Sequence, residues 1–520
     1  MSSINPHLVP YDQRLPFELW EACWSHVSFK DAKSLSLTCK LFRRTCMPQI
    51  FESMSFFAPI VSALTEQELG PPCDLKADNQ ATLLSIQNRL HAQISLFDQL
   101  AATETSEIRA MVKHWTFSGN ETLYQGEAVD NQMHSQAFVS LLKTYTHIYD
   151  AFFNHLPHYP TLHHLSLVGI QVDDRVIDLL TTLPSLKDLH LFYCHFICEA
   201  VHHLKLRSLD IEEGDVFMVL DDHRPHTAAA FQFFCRGTLE RLAVRAERWV
   251  GMVISPPYVL EMRPLTHLAL KLSASTAAQN EFLRFLLQCP NLQSLTVQSV
   301  WVDMQCEAPP LASLQTYDGP MNLAKILLPR TAVQTVCLRH FKLGHFDRPL
   351  DHPKLSSALA SLSFMAQSLR CLRIIPIHQP TRRVFDLIAE LFPNISNLEL
   401  EFENRSQVNL FGPRDIMEVM EAMEVASLSA ASLSVASISA ASPLSVLLDQ
   451  MSTGMCVLPH AIQQLELRCH QYNVITTTPI RIPTEMQQRM VLGLSKNNPT
   501  LRRVAMGEIW MLIGDVWIQG

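Results

Sequence analysis

The amino-acid sequence predicts an α/β chain: three short helices at the N-terminus, then a long irregular array of helix–turn–strand units whose strands lie side by side in a parallel sheet. Three observations predict it. Residues 14–57 divide into three amphipathic helical runs. From about residue 108 onward the phrase apolar-x-x-apolar-x-apolar recurs, as in Leu162-His163-His164-Leu165-Ser166-Leu167. Several copies come after a helical stripe and a Pro-x step, so helix and strand alternate along the chain.

Composition narrows the function classes. Of 520 residues, 48% are apolar and 18% charged, enough for a sizeable core and too apolar for global disorder. A net charge of −9 argues against a nucleic-acid partner, which calls for a basic face. Gly is scarce at 15, leaving few places for phosphate-cradling loops, and 30 Pro punctuate the turns. Thirteen cysteines fall in no framework, so reduced and mostly buried thiols are expected in a cytoplasmic or nuclear chain. The N-terminal residues lack a basic-then-apolar leader, and the terminal DVWIQG matches no lipidation or retention signal. No uninterrupted apolar run is long enough for a bilayer, so no membrane partner is expected.

The N-terminal helices have distinct signals. Pro16 suits a first helical position, and Leu19, Cys23 and Val27 form a stripe beside Trp20 and Trp24. Ser28 to Asp31 is a break with N-cap candidates, after which Ala32, Leu35 and Leu37 mark a second helix. Thr38 to Arg44 starts a third, which should end near Pro48. Three helices of this size bury little surface alone and need a partner or an attached domain.

Residue types in order over this stretch resemble an F-box. The matching positions are Leu15, Pro16, Glu18, Leu19, Lys30, Asp31, Leu35, Leu37, Cys39, Lys40, Phe42, Arg43, Pro48 and Phe51. Cys23 and Ala32 stand where the family usually carries larger aliphatics. The resemblance implies a domain over residues 10–57 that docks on a Skp-type adaptor and, through it, on a cullin–RING ubiquitin ligase. It implies adaptor contacts through Leu15, Pro16, Glu18, Leu19, Val27, Leu35, Leu37 and Phe42.

Residues 58–107 are expected to form a helical connector. Gly70-Pro71-Pro72 is a breaker, and Leu83, Leu84, Ile86, Leu90, Ile94, Phe97 and Leu100 make a near-helical stripe that packs the N-terminal helices against the repeat array.

Residues 108–520 carry the phrase at Val112, Leu162, Leu186, Leu206, Leu239, Leu265, Leu292, Val333, Leu369, Ile395, Ile462 and Leu501. In a chain this apolar the bare phrase arises by chance about ten times, so the flanks matter more. Pro160, Pro184, Pro290, Pro393 and Pro499 each stand two residues upstream of a copy. Helical stripes such as Val176-Ile177-Leu179-Leu180 run into them. This part looks like a degenerate leucine-rich-repeat solenoid with a parallel sheet on its concave face. The family's Asn/Cys ladder position is filled only by Asn120 and Cys194. F-box proteins with irregular repeats are common in fungi, and the whole chain resembles that type.

Residues 426–446 form an uncharged Ala/Ser five-residue tandem repeat. It is read as an expanded surface insertion; the alternative is an added element that binds a partner.

No constellation compels a catalytic reading. Cys194, His195, Cys198, His202 and His203 are the most metal-like set, but core cysteines beside solvated histidines is the simpler account, and no metal or cofactor is expected. His155, His158, His163 and His164 lack a carboxylate at ligand spacing. Asp173-Asp174 and Asp221-Asp222 are simpler as helix N-termini or loop charges. Walker, dinucleotide, zincin and nucleophile-elbow motifs are absent.

What remains is binding. The third, fifth and seventh phrase positions should point away from the core and present His164, Asp188, His190, Asp210, Arg241, Arg245, His267, Lys271, Arg339, Arg373, Glu399 and Glu401 to a protein target. The expectation is therefore a non-enzymatic substrate-recognition subunit of an SCF-type ubiquitin ligase. The alternative is a non-degradative scaffold whose F-box only caps the solenoid.

Overall fold

The structure is a computed structural model that describes residues 23, 26–57, 77–102, 105–119, 136–196, 204–212, 236–254, 262–301, 309–339, 352–378, 381–405, 443–472, 477–479 and 482–519. It divides into two compact units, Met1–Ala246 and Glu247–Gly520. No helix among the described residues is long and apolar enough to cross a membrane, and no disulfide joins the described cysteines.

The first described helix of the first unit for which both ends are placed is α1 (Phe29–Ser36); the helix expected over residues 16–27 lies mostly outside the described residues. Ser28 caps α1: its hydroxyl accepts the Asp31 N–H at 3.2 Å and donates to the Asp31 carboxylate at 2.6 Å. Helix α2 (Lys40–Phe51) is capped by Cys39, whose Sγ accepts the Phe42 N–H at 3.4 Å. Contrary to the expected stop at Pro48, α2 runs through it to Phe51. Proline there removes one hydrogen bond near the helix end, and both Pro48 and Arg44 are at least partly exposed, so water can take the orphaned Arg44 carbonyl.

Strand β1 (Ser53–Phe57) comes at once after it. Phe51, Met54 and Phe56 have the repeat spacing, which the three-helix reading of residues 10–57 obscured. Helices α3 (Ala77–Ala101) and α4 (Ser106–Met111) lead to β2 (His114–Ser118), which pairs parallel with β1. The expected connector is thus a crossover between two strands of one sheet.

After α5 (Gln136–His155) come β3 (His164–Val168), β4 (Gln171–Val172), α6 (Asp174–Thr181), β5 (Asp188–Phe192), β6 (His195–Phe196), β7 (Ser208–Glu212) and β8 (Arg241–Val244). Strands β1, β2, β3, β5, β7 and β8 form a parallel sheet in direct register. The pair β4–β6 makes a small second sheet just past the ends of β3 and β5. Asp173 caps α6 by accepting the Val176 N–H at 2.9 Å, the role expected for that acidic pair.

Beneath the sheet, Phe97 of α3 meets Phe56, Trp115 and Phe152 with ring centroids 5.9, 6.0 and 5.9 Å away. Phe117 stacks on Phe152 at 4.1 Å. Leu90, Phe97 and Leu100 are buried, while Leu84, off the centre of the stripe, is exposed. The side chain of Leu83 lies outside the described residues.

The second unit contains α7 (Glu247–Ile254), β9 (His267–Lys271), α8 (Thr276–Leu286), β10 (Ser294–Gln298), β11 (Thr316–Pro320), α9 (Met321–Leu327), β12 (Thr335–Arg339), α10 (His352–Ser361), β13 (Cys371–His378), α11 (Arg382–Leu391) and β14 (Asn397–Arg405). It closes with α12 (Pro443–Ser452), β15 (Gln464–Tyr472), β16 (Thr477–Pro479), α13 (Thr484–Asn497), β17 (Arg503–Ala505), β18 (Ile509–Ile513) and β19 (Val516–Gln519). Strands β9 to β15 and then β17 pair parallel in sequence order. Strand β16 adds to β15 antiparallel, and β17, β18 and β19 finish the sheet as an antiparallel meander. Most of the Ala/Ser segment lies outside the described residues, but its last four, 443–446, begin α12.

Every copy of the phrase becomes a strand. One further strand, β11, sits between the copies at Leu292 and Val333 and accounts for the long gap between them. Its inward positions are Tyr317 and Gly319 rather than aliphatics. The Tyr317 hydroxyl donates to the Pro320 carbonyl at 2.7 Å, and a Cβ at position 319 would stand 2.9 Å from that hydroxyl.

The turns leaving β3 and β5 share a conformation. Gly169 and Tyr193 occupy the same place after β3 and β5 with φ of 59° and 54°. Holding Tyr193 there costs about 1–2 kcal/mol. Next to it, Cys194 is buried and donates its thiol to the carbonyls of Leu167 and Phe192 at 3.3 and 3.4 Å. It ties one repeat to the one before. The fold is therefore mixed α/β, with parallel sheets built from a recurring helix–turn–strand unit.

Phe97→Ala should lower stability by about 3–5 kcal/mol, because the cavity opens amid fixed rings. Leu84→Ala should stay within about 0.5 kcal/mol. Urea unfolding of both variants beside the parent chain checks this; equal effects would contradict the packing.

Candidate functional site

Alternation along each strand builds two faces. In the first unit Leu165, Leu167, Leu189, Leu191, Leu209, Ile211, Leu242 and Val244 are buried. The residues between them stand on the opposite, open face, most of them half-buried. Direct register sets these in rows across the sheet. His114, His164, Asp188, Ser208 and Arg241 form one row, and Thr116, Ser166, His190, Asp210 and Ala243 the next.

Three histidines share this face. The ring centroids of His164 and His190 are 4.5 Å apart, and those of His114 and His164 5.5 Å. Burial holds the pKa of His164 below the usual histidine value, and the neighbouring His190 and His114 push it the same way. Burial also lowers His190, with Asp188 opposing and Arg245 reinforcing. Arg245 lies just beyond β8, its N–H bonded to the Ile211 carbonyl. Its guanidinium reaches Glu212 at 2.6 Å and Asp210 at 3.4 Å. Burial raises the Asp210 carboxyl against the pull of Arg245.

The open face of the second unit is a charged ladder. Arg339 grips Asp318 with two bonds of 2.5 and 2.9 Å. Arg373 Nε lies 3.0 Å from Glu399, and Arg468 lies 3.2 Å from the same oxygen and 2.8 Å from Glu466. His470 stands 3.9 Å from Glu401. Burial raises the Glu399 carboxyl, which Arg373 and Arg468 oppose. His267 and Lys271 flank the ladder on β9, with the Thr266 hydroxyl 2.8 Å from His267 Nδ1.

The structure thus places His164, Asp188, His190, Asp210, Arg241 and Arg245 on one face of the first sheet. His267, Lys271, Arg339, Arg373, Glu399 and Glu401 share one face of the second. Sequence reasoning missed Asp318, because β11 lacks the aliphatic spacing. It also passed over Glu212, Glu466, Arg468 and His470, which the period-two reading of β7 and β15 would have found.

Of the expected adaptor contacts, Leu15, Pro16, Glu18 and Leu19 lie outside the described residues. Val27, Leu35 and Phe42 are half-buried, and Leu37 is 78% exposed. Ala32 and Cys46 are buried where α1 meets α2. Phe29 is exposed beneath the Lys33 ammonium, 4.5 Å from its ring.

No group of three or more His, Cys, Asp or Glu among the described residues is placed to hold a metal ion. Cys194 is engaged with backbone carbonyls, while Cys198, His202 and His203 lie outside the described residues. His155 pairs with Asp98 at 3.0 Å. Burial pushes the thiols of Cys289, Cys337 and Cys469 up to about 12, far from the thiolate a nucleophile needs.

No family model matches the chain, and no curated protein matches it. Among solved structures it is similar to an internalin from Listeria monocytogenes str. 4b F2365, at 10% identity over 57% of this chain and 77% of that one, with a TM-score of 0.22. The repeat character of the fold stands on the strand registers and on the turn chemistry of Gly169, Tyr193 and Cys194.

The lowered pKa values of His164 and His190 predict a pH-dependent stability. Folded pKa values below the unfolded one mean that the unfolded chain binds more protons in the window between them. Stability therefore falls as pH drops from about 6.5 through the folded values. Asp210 and Glu399, raised by burial, act in the opposite sense and in the carboxylate range. His164→Asn with His190→Asn should flatten the loss of urea midpoint between about pH 7.5 and 5.5. An unchanged slope would show that His164 and His190 do not titrate in this way.

Proposed function

We propose that this chain is a protein-binding receptor: its N-terminal helices dock an adaptor, and the open sheet faces hold a target. The observation that carries the first half is the surface of α1 and α2. Leu37 is 78% exposed beside half-buried Leu35 and Phe42, apolar side chains left at the surface of helices too short to bury them. Taken with the F-box-like order of residues 14–57, this supports docking on a Skp-type adaptor and service as the substrate-recognition subunit of an SCF-type cullin–RING ubiquitin ligase. The chain would then do no bond chemistry. It would raise the target's local concentration beside the conjugating machinery, a gain of proximity.

The second half rests on the half-buried rows of mixed charge. Arg339, Arg373, Glu399 and Arg468 are engaged in ion pairs across the strands, which supports a target meeting a paired pattern of opposite charges. The scaffold alternative, in which the N-terminal helices serve only the fold, predicts no adaptor association.

Co-purification with the host's Skp-type adaptor tests the proposal on the parent chain, Leu19→Asp and Leu37→Asp. Placing an unpaired carboxylate in an apolar contact costs several kcal/mol, so each variant should lose capture about 100-fold or more. Leu37 is exposed, so its variant should keep the parent circular dichroism. Equal capture by all three, or none by the folded parent chain, would contradict adaptor docking.

A further inference from the structure

Among the described residues, the sheet of the second unit ends in a strand with no further strand beside it. Ile513, Gly514, Asp515 and Val516 form a two-residue hairpin, with Gly514 at φ 61°. Strand β18 pairs Met511 with Ile518 and Ile513 with Val516. The Leu512 N–H is bonded on the β17 side, to the Arg502 carbonyl. Antiparallel alternation then turns the N–H and C=O of Trp517, opposite Leu512, toward the outer edge. Among the described strands β19 pairs only with β18, so that edge has no described strand beside it.

Two features set this edge apart. Ile509, Met511, Ile513, Val516 and Ile518 stand on one face and are all exposed, Val516 at 62% and Ile518 at 46%. Ile509 lies opposite Ala505 and Met511 opposite Arg503, so this apolar face continues the open face of the parallel sheet. Natural edge strands are normally blunted by Lys, Pro, a bulge or a covering element. Val516-Trp517-Ile518-Gln519 has none of the first two, and its register shows no bulge.

Charge specifies the occupant. The edge strand has acidic groups at both ends: Asp515 is exposed at the turn, and the Glu508 carboxylate meets the Gln519 side chain at 2.6 Å. Among the described residues of that face, Arg503 is the nearest cation by strand register and lies two strands inward. We infer that β19 is a docking edge for an extended segment of a separate protein partner, in which two apolar residues alternate with a polar one and a basic residue stands at each end. Such a segment adds a strand to the sheet. Its apolar side chains cover Val516 and Ile518, and its basic ends reach Asp515 and Glu508. This goes beyond adaptor docking and does not depend on it.

The test uses the full chain and a fluorescein-labelled peptide, Lys-Val-Thr-Val-Lys, whose terminal lysines match the Asp515-to-Gln519 span of roughly 13 Å. Fluorescence anisotropy should show saturable binding below about 1 mM. Glu-Val-Thr-Val-Glu should bind about tenfold more weakly, and so should Lys-Val-Pro-Val-Lys, which lacks the central N–H. The variant Val516→Lys with Ile518→Lys changes two exposed side chains and should weaken capture by about tenfold or more. No binding by the parent chain, or equal binding of all peptides, would overturn the inference. So would undiminished binding by the double variant. Sedimentation showing β19-dependent dimers that exclude the peptide would overturn it too, assigning the edge to a second copy instead.

Discussion

Columns of aliphatic side chains beneath parallel strands in direct register are the constraint on which the rest of the structure depends. The fourth and sixth phrase positions of each strand stack on those of the next, as Leu165 on Leu189 on Leu209 on Leu242, all buried. A slip of one residue would turn a whole column to solvent and bring His164, His190 or Glu399 into the core. Register is therefore held by burial, and the open-face rows arise from it without any need for local specification.

The same constraint explains why so much of the fold could be read from residue order. A phrase with a high chance frequency still marked a strand at every copy, because Pro-x steps and capped helices such as the one begun by Asp173 fixed the intervals. What escaped had physical reasons. Strand β1 was hidden because Phe51 to Phe57 also fits the end of a helical domain. Strand β11 uses Tyr317, whose hydroxyl is satisfied by a carbonyl, and Gly319, which leaves it room; an aliphatic search passes over both. Helix α2 continued through Pro48 because the lost hydrogen bond falls near a solvent-accessible end.

Site legibility was of a different kind. Period two placed His164, Arg245, Arg373 and Glu399 on open faces, but not their partners. That Arg468 reaches Glu399, or that Arg245 joins Asp210 to Glu212, depends on neighbours far apart in sequence. These pairings leave few uncompensated charges on the ladder. Its contribution to binding is then geometric specificity more than long-range attraction. The apolar hairpin of β18 and β19 supplies, at one end of that sheet, the hydrophobic surface that the ladder lacks.

Whether one register separates core from binding face is open to a direct measurement. Single cysteines placed in turn at Leu398, Glu399, Leu400 and Glu401 of β14 can be labelled with a thiol reagent in the native full chain and read peptide by peptide. Alternation is expected: slow at 398 and 400, fast at 399 and 401. Uniform rates, or the reverse alternation, would contradict it.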